Sequence, residues 1–410
     1  MTSKERIFAC WNGTPPDYVP LTTWSFGFKP KPSLTWKKRG KTVTHWYSQR
    51  MEHLHLLPES WDIDDDFKRV LAWRSLGVDD MLDVSIPWSM NSAVTWEDSV
   101  VPPASESGYP VMVRKYNTPS GPLRHAVSRT GEDPGEGWVV QPDHVPLIED
   151  YNIPRAVEHA VSSPDDVPKL RHLYCPPDQE AASWFNERME RVAAFSGEHD
   201  VPVQAWSAFG MDGVIWFTGV SGANMMAMDD PTAFGMLVQI VSDADYARTK
   251  LACEHPGINM IVQRGWYSST DFWSPKLFDE FMFPSIQRIA ELSHSHGKKF
   301  GYVMTTGVET LGPRLADAGV DVLYFVDPVQ DTITLEKARD LLGGRMTLAG
   351  GANSVTLATG DEETIRNEVR KALDVLGPTN RFILQPVDAV FPDTPWESVE
   401  TMIAAWKQYR

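Results

Sequence analysis

Between residues 258 and 396 the chain repeats one pattern: a short apolar, β-branched run, a polar residue just past it, then a helical period. Residues 258–263 (INMIVQ) end in Arg264-Gly265-Trp266, and Ser274-Pro275 then opens a helix with an N-cap side chain and a proline at its first position. That helix stops at His294-Ser295-His296-Gly297, a cationic last turn followed by glycine. Residues 299–304 form the next strand, with Thr305-Thr306-Gly307 beyond it and Leu311, Leu315 and Ala318 on one face of the helix that follows. Residues 322–326 end at Asp327-Pro328, and Leu335, Ala338, Leu341 and Leu342 mark the matching helix. Residues 346–350 end at Gly351-Ala352-Asn353 ahead of a helix bearing Ile365, Val369, Leu373 and Leu376. Residues 381–385 end at Pro386-Val387-Asp388, and Thr394-Pro395 opens a last helix with Val399, Met402, Ile403 and Trp406.

Strands this short, apolar on both faces and separated by helices, pair in parallel through right-handed crossovers. Without a glycine-rich dinucleotide turn, the repetition points to an α/β fold of the (β/α)8 TIM-barrel type rather than a doubly wound sheet. The chemistry then belongs at the C-terminal ends of the strands. Upstream, residues 3–11 read as a short helix, 19–24 as the first strand, 77–87 as a second strand region containing Asp83, and 201–206 as a further strand. Residues 111–116 and 123–129 alternate across Thr118-Pro119-Ser120-Gly121, a hairpin inserted over about 97–145. Residues 154–171 read as helical. No linker divides the chain, which is expected to be one domain over 1–410.

The formal net charge of −17 disfavours nucleic acid or an anionic membrane as a partner. Cys10, Cys175 and Cys253 lack paired spacing, so neither a disulfide framework nor a thiolate metal cluster is suggested. With no signal pattern and no run of membrane-spanning length to read, the protein is expected to be cytoplasmic. The expected partner is a small-molecule substrate; the oligomeric state stays open, a homodimer included.

The strand-end residues are the candidates for chemistry. Asp388 and Asp327 either act as acid and base, if the barrel brings them together, or cap the turns past their strands, as the Asp327-Pro328 turn signal suggests. Around them stand Arg264, Asp271, Tyr302, Asn353 and Gln385. Arg264 either holds a substrate carboxylate in a bidentate fork or pairs with a neighbouring aspartate. Gly350-Gly351 beside Asn353 could offer backbone amides to an anion. Trp24, Trp206, Trp266 and Trp273 lie near strand ends and serve either the core or a flat ligand. Lys29, Lys31, Lys37, Lys38 and Arg39 are either a solvated loop or cations facing an anionic substrate. His45, His53 and His55 read as helical, and the spacing of the last two turns them to different sides, against a metal pair.

Residues 1–6 (MTSKER) with 12–20 (NGTPPDYVP), the turn at 118–123 (TPSGPL), Ser274-Pro275 with Phe278 and Pro284, then Gly297-Lys298, Gly319-Val320-Asp321, Gly350-Gly351 and Thr394-Pro395 occur in an order that resembles the uroporphyrinogen decarboxylase superfamily, closest to its corrinoid-linked methyltransferase branch. The resemblance implies a barrel enzyme that demethylates a small methylated or methoxylated substrate and passes the methyl group to a corrinoid, carried by a partner protein. In that branch a histidine, a cysteine and a second cysteine hold zinc. Aligned on Gly307 and Thr394-Pro395, their places hold Met304, Thr306 and Asp388, so no zinc is expected and Met304 and Thr306 become substrate-facing candidates. The decarboxylases place a functional histidine where Asp388 stands, and Asp83 is the nearest match to their catalytic aspartate. Their arginine-glycine signature is missing around residues 26–39. A cofactor-independent decarboxylase of an aromatic or tetrapyrrole acid is the alternative, and a non-catalytic barrel that binds a ligand or a corrinoid protein is the third reading.

Overall fold

The computed structural model describes residues 1–48, 56–57, 61–105, 108–131 and 135–410. Seven parallel strands run in the spatial order Phe382–Pro386, Thr347–Ala352, Val322–Val326, Lys299–Val303, Met260–Gln263, Val203–Ala208, Leu82–Ser85. Each follows its spatial neighbour in the chain, the signature of successive right-handed βα units. Residues 20–26 close the ring. Leu384 N donates to Pro20 O (2.9 Å) and Val390 N to Trp24 O (2.8 Å) on one side, while Asp79 N donates to Leu21 O (2.8 Å) on the other. This eighth position, expected as a strand, makes isolated parallel bridges instead of a continuous ladder.

Side chains alternate about the barrel wall. Met81, Trp206, Met260, Val262, Val303, Val322, Tyr324, Ala349 and Ile383 pack together inside. Leu82, Ala205, Ile261, Phe300, Tyr302, Leu323, Leu348 and Leu384 belong to the larger core beneath the helices. The helix Ser3–Asn12, started by a reciprocal Thr2/Glu5 cap, covers the N-terminal end of the barrel with Ile7, Cys10 and Trp11. Thr347 Oγ1 donates to Cys10 O, and burial pushes the Cys10 thiol up to about 12, an inert packing residue.

Helices fall where the apolar periodicity puts them, including Val308–Asp317, Leu335–Leu342, Glu362–Leu376 and Trp396–Tyr409. The helix opening at Ser274-Pro275 runs through a π-turn at Phe278–Met282 into Phe283–Ser295. The insertion is larger than a hairpin: Thr95–Val101, Val111–Thr118, Gly121–Ser128 and Ala156–Glu158 form a four-stranded antiparallel sheet. Residues 154–171 are therefore only partly helical, since Ala156–Glu158 is taken up as an edge strand. His45 lies in a bend before the strand Trp46–Tyr47, not in a helix, and His53 and His55 lie outside the described residues. No helix among the described residues is long and apolar enough to cross a membrane.

One residue of the inserted sheet ties stability to pH. His125 is fully buried, neither ring nitrogen has a hydrogen-bond partner among the described residues, and burial beside His159 and Arg114 lowers its pKa to about 3 from the usual 6.5. The folded state holds it neutral, so its contribution is intact above pH 6.5 and is lost as pH falls from 6.5 toward 3. Between about pH 7 and pH 5, wild-type protein should lose about 2 kcal/mol more unfolding free energy in urea titrations than His125→Leu. Equal losses in the two proteins would contradict this assignment.

Candidate functional site

Three strand ends on the C-terminal side of the barrel, carrying Arg264, Thr305-Thr306 and Asp388, meet residues 149–154 of the connection between the last two strands of the inserted sheet. They enclose a cavity of about 530 Å³, a size that suits a small organic molecule. Of the residues expected at the site, Trp24, Arg264, Trp266, Asp271, Thr306 and Asp388 line it.

Arg264 is the best-anchored of these. It is 2% exposed, donates from Nε to Asp212 Oδ2 (3.0 Å), and from Nη2 to both carboxylate oxygens of Asp150 (2.9 and 2.8 Å). Its guanidinium also lies over the rings of Trp216 (4.8 Å) and Trp266 (4.6 Å), where cation–π attraction adds to the ion pairs. Of its two sequence-level readings, pairing with neighbouring aspartates is the one observed. Asp212 is completely buried, so its carboxyl rises to about 6 against the pull of Arg264, and it accepts the Tyr267 amide as well (3.0 Å). Trp216 Nε1 also donates to Asp150 Oδ1 (2.9 Å).

Trp266 donates to Asp388 Oδ1 (3.1 Å) and stacks on Trp206, ring centroids 6.1 Å apart. Asp388 has φ +68°, a left-handed conformation that aspartate and asparagine tolerate better than most residues. Trp206 sits beneath Trp266 and donates to Asp83 Oδ1 (2.8 Å), which also accepts from Gln204 (2.5 Å) and faces Arg69 at 3.9 Å. Asp83 is thus buried below the tryptophan pair and is not among the residues that line the cavity. On the opposite side, Thr306 Oγ1 donates to Asp271 Oδ2 (2.5 Å) and lies 2.9 Å from Ser269 Oγ.

Other expected members are held elsewhere. Asp327 accepts from Asn353 Nδ2 (2.6 Å) and the Val329 amide (2.8 Å), while Asn353 Oδ1 caps the helix Ser354–Thr359. This pair organises a strand-end turn and is not brought to Asp388. Tyr302 points out of the barrel wall, donates to Ser268 Oγ (2.7 Å), and fills the space beside Gly265, where a Cβ would come within 2.5 Å of its ring. It therefore supports the Arg264-Gly265-Trp266 turn from behind. Met304 and Gln385 are buried and absent from the lining. Lys29 pairs with Glu136, Lys31 with Glu400, and Lys38 with Asp62 and Asp65, and no residue of 29–39 lines the cavity.

Gly350 and Gly351 also correct an expectation. They lie inside the strand Thr347–Ala352, paired with Leu384 and Gln385, so their amides are not offered to an anion. Gly350 has φ +148°, and a Cβ there would stand 2.4 Å from Val326 O. Gly350→Ala should lower the unfolding free energy by about 2–3 kcal/mol in denaturant titrations, because backbone rather than a mobile side chain blocks the new methyl. An unchanged midpoint would refute that close approach.

The sequence reading missed Glu149, Asp150, Tyr151, Tyr267, Phe272 and Phe391 on the lining, and Asp212 and Trp216 behind it. Asp212 had a legible signal, a polar residue four places past the strand Val203–Ala208. Among the described lining residues four carboxylates, Glu149, Asp150, Asp271 and Asp388, face one guanidinium, Arg264. Zinc does not fit the positions aligned with its ligands, since Met304 is a buried thioether and the Thr306 hydroxyl is turned to Asp271. Among the described residues no group of three or more His, Cys, Asp or Glu side chains is placed to hold a metal ion.

Comparison with known proteins bears on this geometry. The uroporphyrinogen decarboxylase family model matches residues 148–409. A methyltransferase from Methanosarcina mazei shares the fold at 18% identity, with 100% of this chain and 99% of that chain covered and a TM-score of 0.59. A putative fructose-1,6-biphosphate aldolase from Coccidioides immitis, 13% identical, covers 53% of this chain and 91% of its own at a TM-score of 0.24, too low to bear on the argument. No curated protein sequence matches.

Proposed function

The chain belongs to the uroporphyrinogen decarboxylase family, and from that premise we propose that it is an enzyme that removes a methyl group from a small methylated or methoxylated donor and delivers it to a corrinoid carried by a partner protein. The observation that carries this reading is the charge of the cavity. A decarboxylase must hold anionic carboxylates, yet Arg264, the one guanidinium among the described lining residues, is already shared by Asp150 and Asp212. Carboxylates and aromatic rings supply the rest of the recognition, which suits a neutral or cationic donor. The Methanosarcina mazei methyltransferase of the same fold agrees with that choice.

In this reading the aromatic walls bind the donor and exclude water, and the Arg264–Trp266 turn fixes one side of the site. Asp388, oriented by Trp266 at Oδ1, faces the heteroatom that loses the methyl group. With an ether donor its carboxyl passes a proton to the departing oxygen. A corrinoid would supply a two-electron cobalt nucleophile for the methyl group.

Purified protein incubated with reduced cobalamin and a panel of methoxylated aromatics and methylated amines tests the reading. A donor-dependent methylcobalamin spectrum is expected. Carbon dioxide release from an aromatic or tetrapyrrole acid by folded protein that forms no methylcobalamin with any donor would overturn it.

A further inference from the structure

We infer that the donor taken by this cavity is an onium cation, a compound whose methyl group sits on a quaternary nitrogen or a sulfonium sulfur; this rests on the demethylating reading above. Trp24, Phe26, Tyr151, Tyr267, Phe272 and Phe391 all contribute to the lining. Aromatic rings lining one volume can attract a cation without demanding directed hydrogen bonds, and a quaternary ammonium group has no N–H to donate. The same volume carries the carboxylates of Asp271 and Asp388 from two different strand exits and Glu149 from the segment across from them, while Asp150 is paired with Arg264. The chain as a whole is strongly acidic, −17 at pH 7, which raises the local concentration of cations and lowers that of anions.

The chemistry of the strand ends agrees. A methyl ether leaves as an alkoxide or phenoxide and needs an acid or a metal to take that charge, whereas an onium carries its activation in its own positive charge. The carbon–nitrogen bond breaks, its electron pair stays on nitrogen, and a neutral amine departs. A reduced corrinoid, a two-electron nucleophile, would take the methyl group, and no proton changes hands at nitrogen. Met304 and Thr306, standing where zinc ligands are aligned, are compatible with a donor of this kind. Asp388 then acts as an anionic counter-charge.

The first test needs no variant. Tetramethylammonium and phenyltrimethylammonium, with their neutral isosteres in which carbon replaces nitrogen, are titrated into the protein by calorimetry and by tryptophan fluorescence, to which Trp24 and Trp266 on the lining contribute. The cations should bind about ten- to thirtyfold more tightly than the isosteres, and Phe391→Leu should narrow that ratio. Equal or tighter binding of the isosteres overturns the inference. The same ligands then serve as methyl donors to reduced cobalamin. Methylcobalamin from methoxylated aromatics with no binding or turnover of the cations sinks the onium assignment and leaves demethylation standing. Selective cation binding with no methylcobalamin from any donor instead sinks the demethylation reading.

Discussion

Arg264→Met should lower the unfolding free energy by about 3–5 kcal/mol near neutral pH, because removing one partner of a buried ion pair leaves the other charged in a low-dielectric site. The partner is Asp212, 0% exposed and 3.0 Å from Arg264 Nε. In the native protein its carboxyl is already raised from 3.8 to about 6, so its contribution is full below pH 3.8 and is lost as pH rises through about 6. Without the guanidinium that rise steepens. The defect of Arg264→Met should therefore be largest at about pH 8 and shrink near pH 5, as Asp212 takes up a proton. Adding Asp212→Asn to Arg264→Met should recover part of the loss, since the orphaned charge is gone. Urea titrations of the three proteins at the two pH values measure this directly. A defect that is small, or that grows on acidification, would mean that the pair does not anchor the turn.

Asp388→Asn isolates the charge at the centre of the site. Asparagine tolerates the left-handed backbone at φ +68° and can still accept from Trp266 through its amide oxygen, so the turn should keep its shape. With a methoxylated donor the variant should lose about 10²–10⁴ in kcat, the usual weight of a positioned general acid. With an onium donor no proton is required, so KM should rise while kcat changes little, the pattern of lost uniform binding. The two donors thus give different kinetic signatures in one variant. Unchanged kinetics with every donor would remove Asp388 from the reaction.

The barrel was legible because its second half is written in one repeated local code, an apolar strand, a polar exit and an amphipathic helix. Arg264, Trp266, Asp271, Thr306 and Asp388 were found by that code and do share one cavity. Asp327, Asn353 and Tyr302 fit the same code and serve turns and packing instead. A strand-end polar residue can cap a loop or face a ligand, and only the neighbouring strand decides which. Glu149, Asp150 and Tyr151 had no such signal, because they reach the cavity from a connection within the inserted sheet, through contacts such as Asp150 with Arg264, 114 residues apart in sequence. The cationic segment 29–39 left two readings open, a solvated loop or cations facing a substrate, for the opposite reason. Its charge was visible, but its partners Glu136, Glu400, Asp62 and Asp65 are distant in the chain and hold it away from the site.

Methyl removal and carboxyl removal compete for the same cavity, and a donor carrying both groups decides between them in one vessel. A trimethylammoniobenzoate with one isotopic label in its N-methyl groups and another in its carboxyl would be incubated with the protein and reduced cobalamin. The account predicts the first label in methylcobalamin, the second retained in the remaining dimethylaminobenzoate, and no labelled carbon dioxide. Labelled carbon dioxide with cobalamin left unmethylated would contradict it.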